Sequence, residues 1–130
     1  MVTERRKKIL IVDDEMIMIN VMERHVTNAG YDFDVASNGQ DALDKINKQP
    51  PDLVLLDLMM PGLNGFETCR RIRSNPATKK LPVIIVTALH SDSDSADAAT
   101  CGANDFLVKP VDPEILAKRL RKFIGSPFKV

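Results

Sequence analysis

Residues 9–14 read Ile-Leu-Ile-Val-Asp-Asp, and this stretch decides the fold class. An unbroken run of apolar, mostly β-branched residues indicates a strand that is buried on both faces, which is typical of a parallel sheet. Two further runs have the same character, Leu-Val-Leu-Leu at residues 53–56 and Val-Ile-Ile-Val at residues 83–86. More mixed runs at residues 33–36 and 105–108 are typical of the edges of such a sheet.

The segments between these strands have helical spacing. Apolar residues recur on one face between Glu15 and Ala29, and Gly30 is placed to end that helix. Four more helices are predicted, over residues 39–48, 65–74, 91–101 and 112–124. Asp112 is a predicted N-cap with Pro113 at the first helical position. Five strands that alternate with five helices predict a parallel α/β sheet with right-handed crossovers.

Length and charge narrow the class of protein. The chain has 130 residues with 18 acidic and 18 basic ones, which suits one domain over residues 1–125 and a tail or linker start at 126–130. No apolar run approaches the ~20 residues that span a bilayer, and the N-terminus lacks a signal-peptide apolar region. We therefore expect a cytoplasmic protein with no membrane partner. A net charge of zero and the lack of a DNA-reading motif argue against direct nucleic-acid binding.

Side chains suited to chemistry lie at the ends of four of the five predicted strands, whereas the second strand offers only Ser37 and Asn38. Asp13 and Asp14 follow the first strand, and Asp57 ends the third. Thr87 ends the fourth strand and Lys109 the fifth. The carboxyl ends of parallel strands form the binding crevice of an open α/β sheet, so we expect these side chains to lie together. Each alone is typical of a helix cap or a solvated side chain, whereas the whole set indicates a site.

The predicted cluster suits phosphoryl chemistry. Carboxylates in close approach repel one another, and a hard divalent cation relieves that repulsion, with oxygen ligands favouring Mg²⁺. Asp13 and Asp14 are placed at the rim as metal ligands. Lys109 adds a second positive charge and Thr87 a hydroxyl donor, which together can hold the oxygens of a phosphoryl group. Asp57 ends a central strand and is the best-placed nucleophile to form an acyl phosphate.

These motifs resemble those of the receiver domain of bacterial two-component response regulators, over about residues 7–124. The matching segments are Ile-Leu-Ile-Val-Asp-Asp-Glu (9–15), Asp-Leu-Met-Met-Pro-Gly (57–62), Val-Thr-Ala (86–88) and Gly-Ala-Asn-Asp-Phe-Leu-Val-Lys-Pro (102–110). The resemblance implies a flavodoxin-like (βα)5 fold with a five-stranded parallel sheet of order 2-1-3-4-5 and helices on both faces. It implies a phosphorelay signalling domain rather than an enzyme, phosphorylated by a histidine kinase or a histidine phosphotransfer protein. It does not identify the downstream output.

The resemblance also assigns the metal and the acceptor. Asp57 is the implied phosphoacceptor. Asp57 and Asp14 are implied to bind Mg²⁺ directly, Asp13 through water, and Met59 through its backbone carbonyl.

Other residues are implied to switch the domain. Thr87 is expected to shift toward the phosphoryl group, and the aromatic ring of Phe106 to turn inward behind it. The face made by the fourth predicted helix, the fifth strand and the fifth helix is then remodelled. A cis peptide bond before Pro110 is expected to help aim Lys109.

Two positions near the acceptor predict a slow loss of phosphate. Met59 lies two residues after Asp57, and Leu89 lies two residues after Thr87. Both side chains are apolar, so neither can orient an attacking water. We hypothesise self-dephosphorylation over hours rather than seconds.

An oligomeric form is a further expectation of the resemblance. Asp105 and Arg119 match positions that pair across a dimer in the DNA-binding subclass of the family. Phosphorylation-linked homodimerisation is one interpretation, and an intrachain or solvated pair is the other.

Three other functions compete with signalling, and the residues at the strand ends argue against each. Aspartate-nucleophile phosphatases need a second acid two residues after the nucleophile, where this chain has Met59. A flavodoxin-like cofactor protein needs a hydroxyl- and amide-rich phosphate loop, where this chain has Asp13 and Asp14. A receiver that serves only as a scaffold tends to lack some of the acids, the threonine or the lysine, and this chain has all of them.

Overall fold

The computed structural model describes residues 5–88 and 100–129, and within them five strands form one parallel sheet. The strands are β1 (Lys8–Val12), β2 (Asp32–Ala36), β3 (Leu53–Leu56), β4 (Val83–Thr87) and β5 (Asp105–Val108). Their spatial order is β2-β1-β3-β4-β5, with every neighbouring pair parallel. The predicted flavodoxin-like order is therefore confirmed, and the three unbroken apolar runs are the three central strands.

The described residues contain four helices, which agree closely with four of the five predicted ones. They are α1 (Met16–Asn28), α2 (Gly39–Lys48), α3 (Gly65–Ser74) and α4 (Pro113–Ile124), α4 being the fifth predicted helix. Asn38, Asn64 and Asp112 cap α2, α3 and α4 by accepting bonds from backbone N–H groups of the first turn. Most of the helix predicted over residues 91–101 lies outside the described residues, so that prediction stays untested. None of these four helices has the length and apolar character that crossing a bilayer requires.

Helices cover both faces of the sheet, which is why its central strands are apolar throughout. Alternate residues of a strand point to opposite faces. In β1, Leu10 and Val12 pack into the core under α2 and α3, whereas Ile9 and Ile11 pack into the core under α1 and α4. The two apolar layers leave the polar strand ends at the edge of the sheet.

Residues 127 and 128 form backbone hydrogen bonds or bridges with residues 6 and 7, which precede β1. The backbone N–H of Lys7 donates to the carbonyl of Pro127 at 2.7 Å, and Arg6 forms an antiparallel bridge with Phe128. The guanidinium of Arg6 also lies over the Phe128 ring, 5.3 Å from its centroid. Residues 126–129 thus pack against the N-terminal segment at the end of the sheet opposite the polar strand ends.

The C-terminal half of α3 is tied to the segment that precedes β5. Arg73 donates three hydrogen bonds, from Nε to the carbonyl of Gly102 at 2.8 Å, from Nη1 to the carbonyl of Leu81 at 2.6 Å, and from Nη2 to Oδ1 of Asn104 at 2.7 Å. One turn earlier, the buried thiol of Cys69 donates to the carbonyl of Cys101 at 3.4 Å. These contacts fix the position from which β5 starts.

Replacing Arg73 with alanine should lower the free energy of unfolding by about 2 kcal/mol, because three charge-assisted bonds are lost together, two of them to half-buried backbone carbonyls. Urea denaturation measures the change. Arg71→Ala is the matched control, since Arg71 is exposed and pairs only with Glu67 across one helical turn among the described contacts. That change should cost less than about 0.5 kcal/mol. Equal costs for the two variants would contradict the prediction.

Candidate functional site

The backbone fixes two of the predicted acids just beyond the ends of neighbouring strands. The N–H of Asp57 donates to the carbonyl of Val12 at 3.0 Å, and the N–H of Asp13 donates to the carbonyl of Ala36 at 3.1 Å. Each bond continues a parallel ladder one residue past its strand, so the sheet itself places both carboxylates. The predicted convergence at one edge follows from this pairing.

The three acids form a cluster that can hold a cation. One carboxylate oxygen from each of Asp13, Asp14 and Asp57 lies within 4.8 Å of the other two. Asp13 and Asp57 are buried, whereas Asp14 is exposed at the rim. Two buried carboxylates and one that faces solvent suit a hard cation that keeps part of its water shell.

Lys109 reaches this cluster from the far side of β4. Its Nζ donates to Oδ2 of Asp13 at 2.6 Å and to Oδ2 of Asp57 at 3.3 Å, and only 11% of its side chain is exposed. Asp13 is also held by the backbone N–H of Glu15 at 3.0 Å, and Asp57 by that of Met59 at 3.3 Å. One ammonium group therefore faces two buried carboxylates and compensates them unequally.

The pKa values of Asp57 and Lys109 are both raised in this environment. Burial raises the pKa of Asp57 above its ordinary value of 3.8; the Lys109 ammonium opposes that rise, and the negative charge of Asp13 adds to it. Burial acts to lower the pKa of Lys109, but its bond to Asp13 and the charges of Asp57 and Asp13 together raise it. The lysine therefore stays protonated, and it compensates the buried charge of Asp57 only in part.

Replacing Asp57 with asparagine should stabilise the protein without Mg²⁺ at pH 7. A carboxyl whose pKa is higher in the folded than in the unfolded chain opposes folding once it ionises. That cost is absent below the unfolded pKa, grows as the pH rises toward the folded pKa, and is constant above it. We expect a gain of roughly 1–2 kcal/mol at pH 7, mainly because a neutral amide avoids the cost of burying an ionised carboxylate, and in smaller part because the repulsion by Asp13 is relieved; the lost attraction of Lys109 reduces this gain, which shrinks toward about pH 4.

Urea denaturation at several pH values measures this gain. Asp44→Asn is the matched control, because Asp44 is exposed on α2 and should change stability by less than about 0.5 kcal/mol. A loss of stability in Asp57→Asn at pH 7 would contradict the charge balance described above.

A cleft of about 390 Å³ opens beside Asp57. Its wall includes the predicted site residues Asp57, Thr87, Lys109 and Pro110. Thr87 is fully buried at the end of β4. Met59 also lines it and is 62% exposed. The cleft is large enough for a phosphoryl group and open enough for a donor to present one.

Three residues of the cleft were not predicted as site residues: Glu15, Met18 and Ala88, which follows Thr87 at the end of β4. Glu15 and Met18 line its wall from the start of α1. The position of Glu15, directly after Asp13 and Asp14, was the available signal. Met18 gave none, because a methionine at helical spacing is typical of a core position.

Of the two residues predicted to switch, Thr87 ends β4 and Phe106 lies on β5. Phe106 is half-buried and packs against the core under α2 and α3, in register with Ile85 of β4. The peptide bond between Lys109 and Pro110 is cis. Leu89 and most of the fourth predicted helix lie outside the described residues.

Asp105 and Arg119 pair within the chain. The guanidinium of Arg119 on α4 donates to a carboxylate oxygen of Asp105 at the start of β5. Among the described residues, the two side chains therefore form an intrachain ion pair, which is one of the two interpretations of the sequence.

A family model described as response regulator receiver domain matches residues 9–121. The chain is 41% identical to the response regulator ArlR of Staphylococcus aureus over 117 residues, which is 90% of this chain and 52% of that protein. It is 39% identical to the response regulator PleD of Caulobacter vibrioides over 114 residues, which is 88% of this chain and 25% of that protein. The chain thus spans between a quarter and about half the length of these curated relatives.

A solved structure is similar over its whole length. It is the receiver domain of the sensor histidine kinase PA1611 from Pseudomonas aeruginosa, crystallised with a magnesium ion coordinated in its active-site cleft. The TM-score is 0.87 at 30% identity, covering 94% of this chain and all of that one (100%).

Proposed function

Because this chain belongs to the response regulator receiver domain family, we propose that Asp57 accepts a phosphoryl group from a histidine kinase or a histidine phosphotransfer protein. Receiver domains are signalling domains, so the purpose of the reaction is the phosphorylated state and not turnover. The observation that carries the proposal is the contact of one half-buried lysine with two buried carboxylates at adjoining strand ends. This arrangement leaves Asp57 short of positive charge until a cation binds.

The cation in this proposal is Mg²⁺. Asp13, Asp14 and Asp57 offer oxygens within 4.8 Å of one another. The backbone carbonyl of Met59 is the further ligand that the family resemblance implies. The magnesium ion of the PA1611 receiver domain supports the choice. When bound, the ion neutralises negative charge on the phosphoryl oxygens and on the carboxylates.

The residues of the chain supply the nucleophile and the charge around it. A carboxylate oxygen of Asp57 attacks phosphorus, the bond from phosphorus to the donor nitrogen breaks, and an acyl phosphate forms. Lys109 Nζ, 3.3 Å from Asp57 in the resting state, is placed to pair with a phosphoryl oxygen. Thr87 lines the same cleft, and in this proposal its hydroxyl orients another oxygen.

The proposed output is a change at the β5 and α4 face. Thr87 shifts toward the phosphoryl group and Phe106 turns inward into the space behind it. Phe106 has no hydroxyl group, so its inward state rests on packing alone. A phosphorylation-linked homodimer is part of this proposal, and it requires Arg119 to exchange its intrachain partner Asp105 for that of a second copy.

Treatment with acetyl phosphate and Mg²⁺ tests the proposal. Mass spectrometry of the intact chain should show one added phosphoryl group, labile to hydroxylamine as an acyl phosphate is. The addition should be absent in Asp57→Ala and greatly reduced when Mg²⁺ is chelated. Steady release of phosphate from a generic phosphoester over many turnovers would instead favour a phosphatase.

Replacing Met59 with asparagine should speed phosphate loss about tenfold, because an amide in the cleft wall can orient an attacking water and a thioether cannot. Following the phosphoryl mass after removal of acetyl phosphate measures the rate. Met16→Asn is the matched control, since Met16 is equally exposed but lies outside the residues that line the cleft. An unchanged rate in Met59→Asn would remove the basis for slow self-dephosphorylation.

A further inference from the structure

Met59 combines solvent exposure with a position in the wall of the acceptor cleft. Its side chain is 62% exposed and lines the same cleft as Asp57 and Lys109. Its backbone N–H donates to Oδ1 of Asp57 at 3.3 Å, so the thioether is carried on the residue that holds the acceptor. Any chemical change of this side chain is therefore a change in the environment of the acyl phosphate.

Exposure also makes Met59 reactive. Peroxides oxidise methionine to its sulfoxide, and solvent access governs which methionines react. Met22 and Met60 are only 2% and 7% exposed and are shielded by the core. Met16 is 68% exposed and should react as readily as Met59, but it does not line the cleft.

We propose that Met59 is an oxidation site through which a peroxide shortens the lifetime of the phosphorylated state; this rests on the proposed function. The thioether sulfur attacks one oxygen of hydrogen peroxide, the O–O bond breaks, and a sulfur–oxygen bond forms. The sulfur is oxidised by two electrons, the peroxide is reduced, and the second peroxide oxygen leaves as water. The reaction needs no other reactant and leaves the backbone carbonyl of Met59 intact.

The sulfoxide changes the polarity of the cleft wall where hydrolysis occurs. A thioether is a weak acceptor, whereas a sulfoxide oxygen is a strong one that can bind a water molecule. A water held beside the acyl phosphate is closer to the geometry of attack on phosphorus. We expect phosphate loss to become about tenfold faster, which corresponds to about 1.4 kcal/mol in the barrier.

The test compares phosphoryl lifetimes before and after oxidation of the full chain. Hydrogen peroxide is added and removed, and dithiothreitol then reverses disulfide formation at Cys69 or Cys101 without reducing sulfoxides. Peptide mapping quantifies the oxygen added at each methionine. The chain is next labelled with acetyl phosphate and Mg²⁺, the donor is removed, and the phosphoryl mass is followed with time. Met59→Leu and Met16→Leu are treated in parallel, each compared with its own untreated sample.

Peroxide should shorten the lifetime in the native chain and in Met16→Leu, and leave it unchanged in Met59→Leu. Met59→Gln, which carries a polar acceptor of similar length, should show the short lifetime without peroxide. An unchanged lifetime with Met59 fully oxidised, equal shortening in Met59→Leu, or resistance of Met59 to oxidation would overturn the inference alone. Absence of a phosphoryl mass on the untreated chain would overturn the proposed function and the inference with it.

Discussion

Replacing Lys109 with methionine should slow phosphoryl uptake from acetyl phosphate by about 100- to 1,000-fold, the usual effect of removing one preorganised donor from a site where charge develops. Methionine keeps much of the length and apolar stem of lysine and removes the ammonium group that pairs with Asp13 and Asp57. The phosphoryl oxygens then lose one of their two positive partners. Intact-mass kinetics at saturating Mg²⁺ measure the change.

The same substitution should destabilise the resting protein without Mg²⁺. Two buried carboxylates lose their shared counter-charge, which typically costs about 3 kcal/mol or more. Added Mg²⁺ should recover much of that loss, because a cation among the same oxygens replaces the ammonium charge. Uptake is therefore compared under conditions in which circular dichroism shows both proteins to be folded.

Lys118→Met is the control for Lys109→Met. Lys118 is exposed on α4, so its replacement should change neither uptake nor stability beyond about 0.5 kcal/mol. Uptake within about threefold of the native rate in Lys109→Met would show that the lysine does not act on the phosphoryl group.

Replacing Gly65 with alanine should cost roughly 3–5 kcal/mol of stability, at the upper end for one substitution. A Cβ atom at Gly65 would lie 2.2 Å from the carbonyl oxygen of Asp57 and 2.7 Å from Cα of Leu58. Both are backbone atoms, which cannot rotate away as a side chain can. The N–H of Gly65 also donates to the carbonyl of Leu58 at 3.2 Å, and the displaced helix would stretch that bond.

Gly62→Ala separates this steric cost from the general cost of losing a glycine. Gly62 has a φ of +74°, but a Cβ there would meet no atom within 4 Å. Its replacement should cost only about 1 kcal/mol, from backbone strain. Urea denaturation of both variants gives the difference, and equal costs would show that the close approach at Gly65 is relieved easily. In whatever Gly65→Ala protein remains folded, the shifted Asp57 backbone should also slow phosphoryl uptake.

Most of the secondary structure was predictable because its signals are local. Apolar runs bounded by polar residues located β1, β3 and β4. Turn and capping residues such as Gly30 and Asp112 placed helix ends within about one residue of their observed positions. The order of the strands came from the resemblance to a family and not from periodicity, since alternation alone does not say which strands are neighbours.

The membership of the acceptor cluster could be predicted from the sequence, but the contacts within it could not. Asp13, Asp14 and Asp57 follow strands, and parallel strands bring their carboxyl ends to one edge, so their meeting could be expected. The sharing of one ammonium group between Asp13 and Asp57 could not, because it depends on the distances between three strand ends.

By itself, the sequence determined that this protein is a parallel α/β domain with acids at one edge of the sheet. Strand burial, helix capping and the ends of strands depend on residues that are close together in the sequence, so local patterns predict them. Only the tertiary structure decided the Arg73 contacts before β5, the fastening of Phe128 to Arg6, and the approach of Gly65 to the Asp57 carbonyl. Each of these joins segments brought together by the packing of whole elements. Such contacts depend on distances in space that no local pattern of residues encodes.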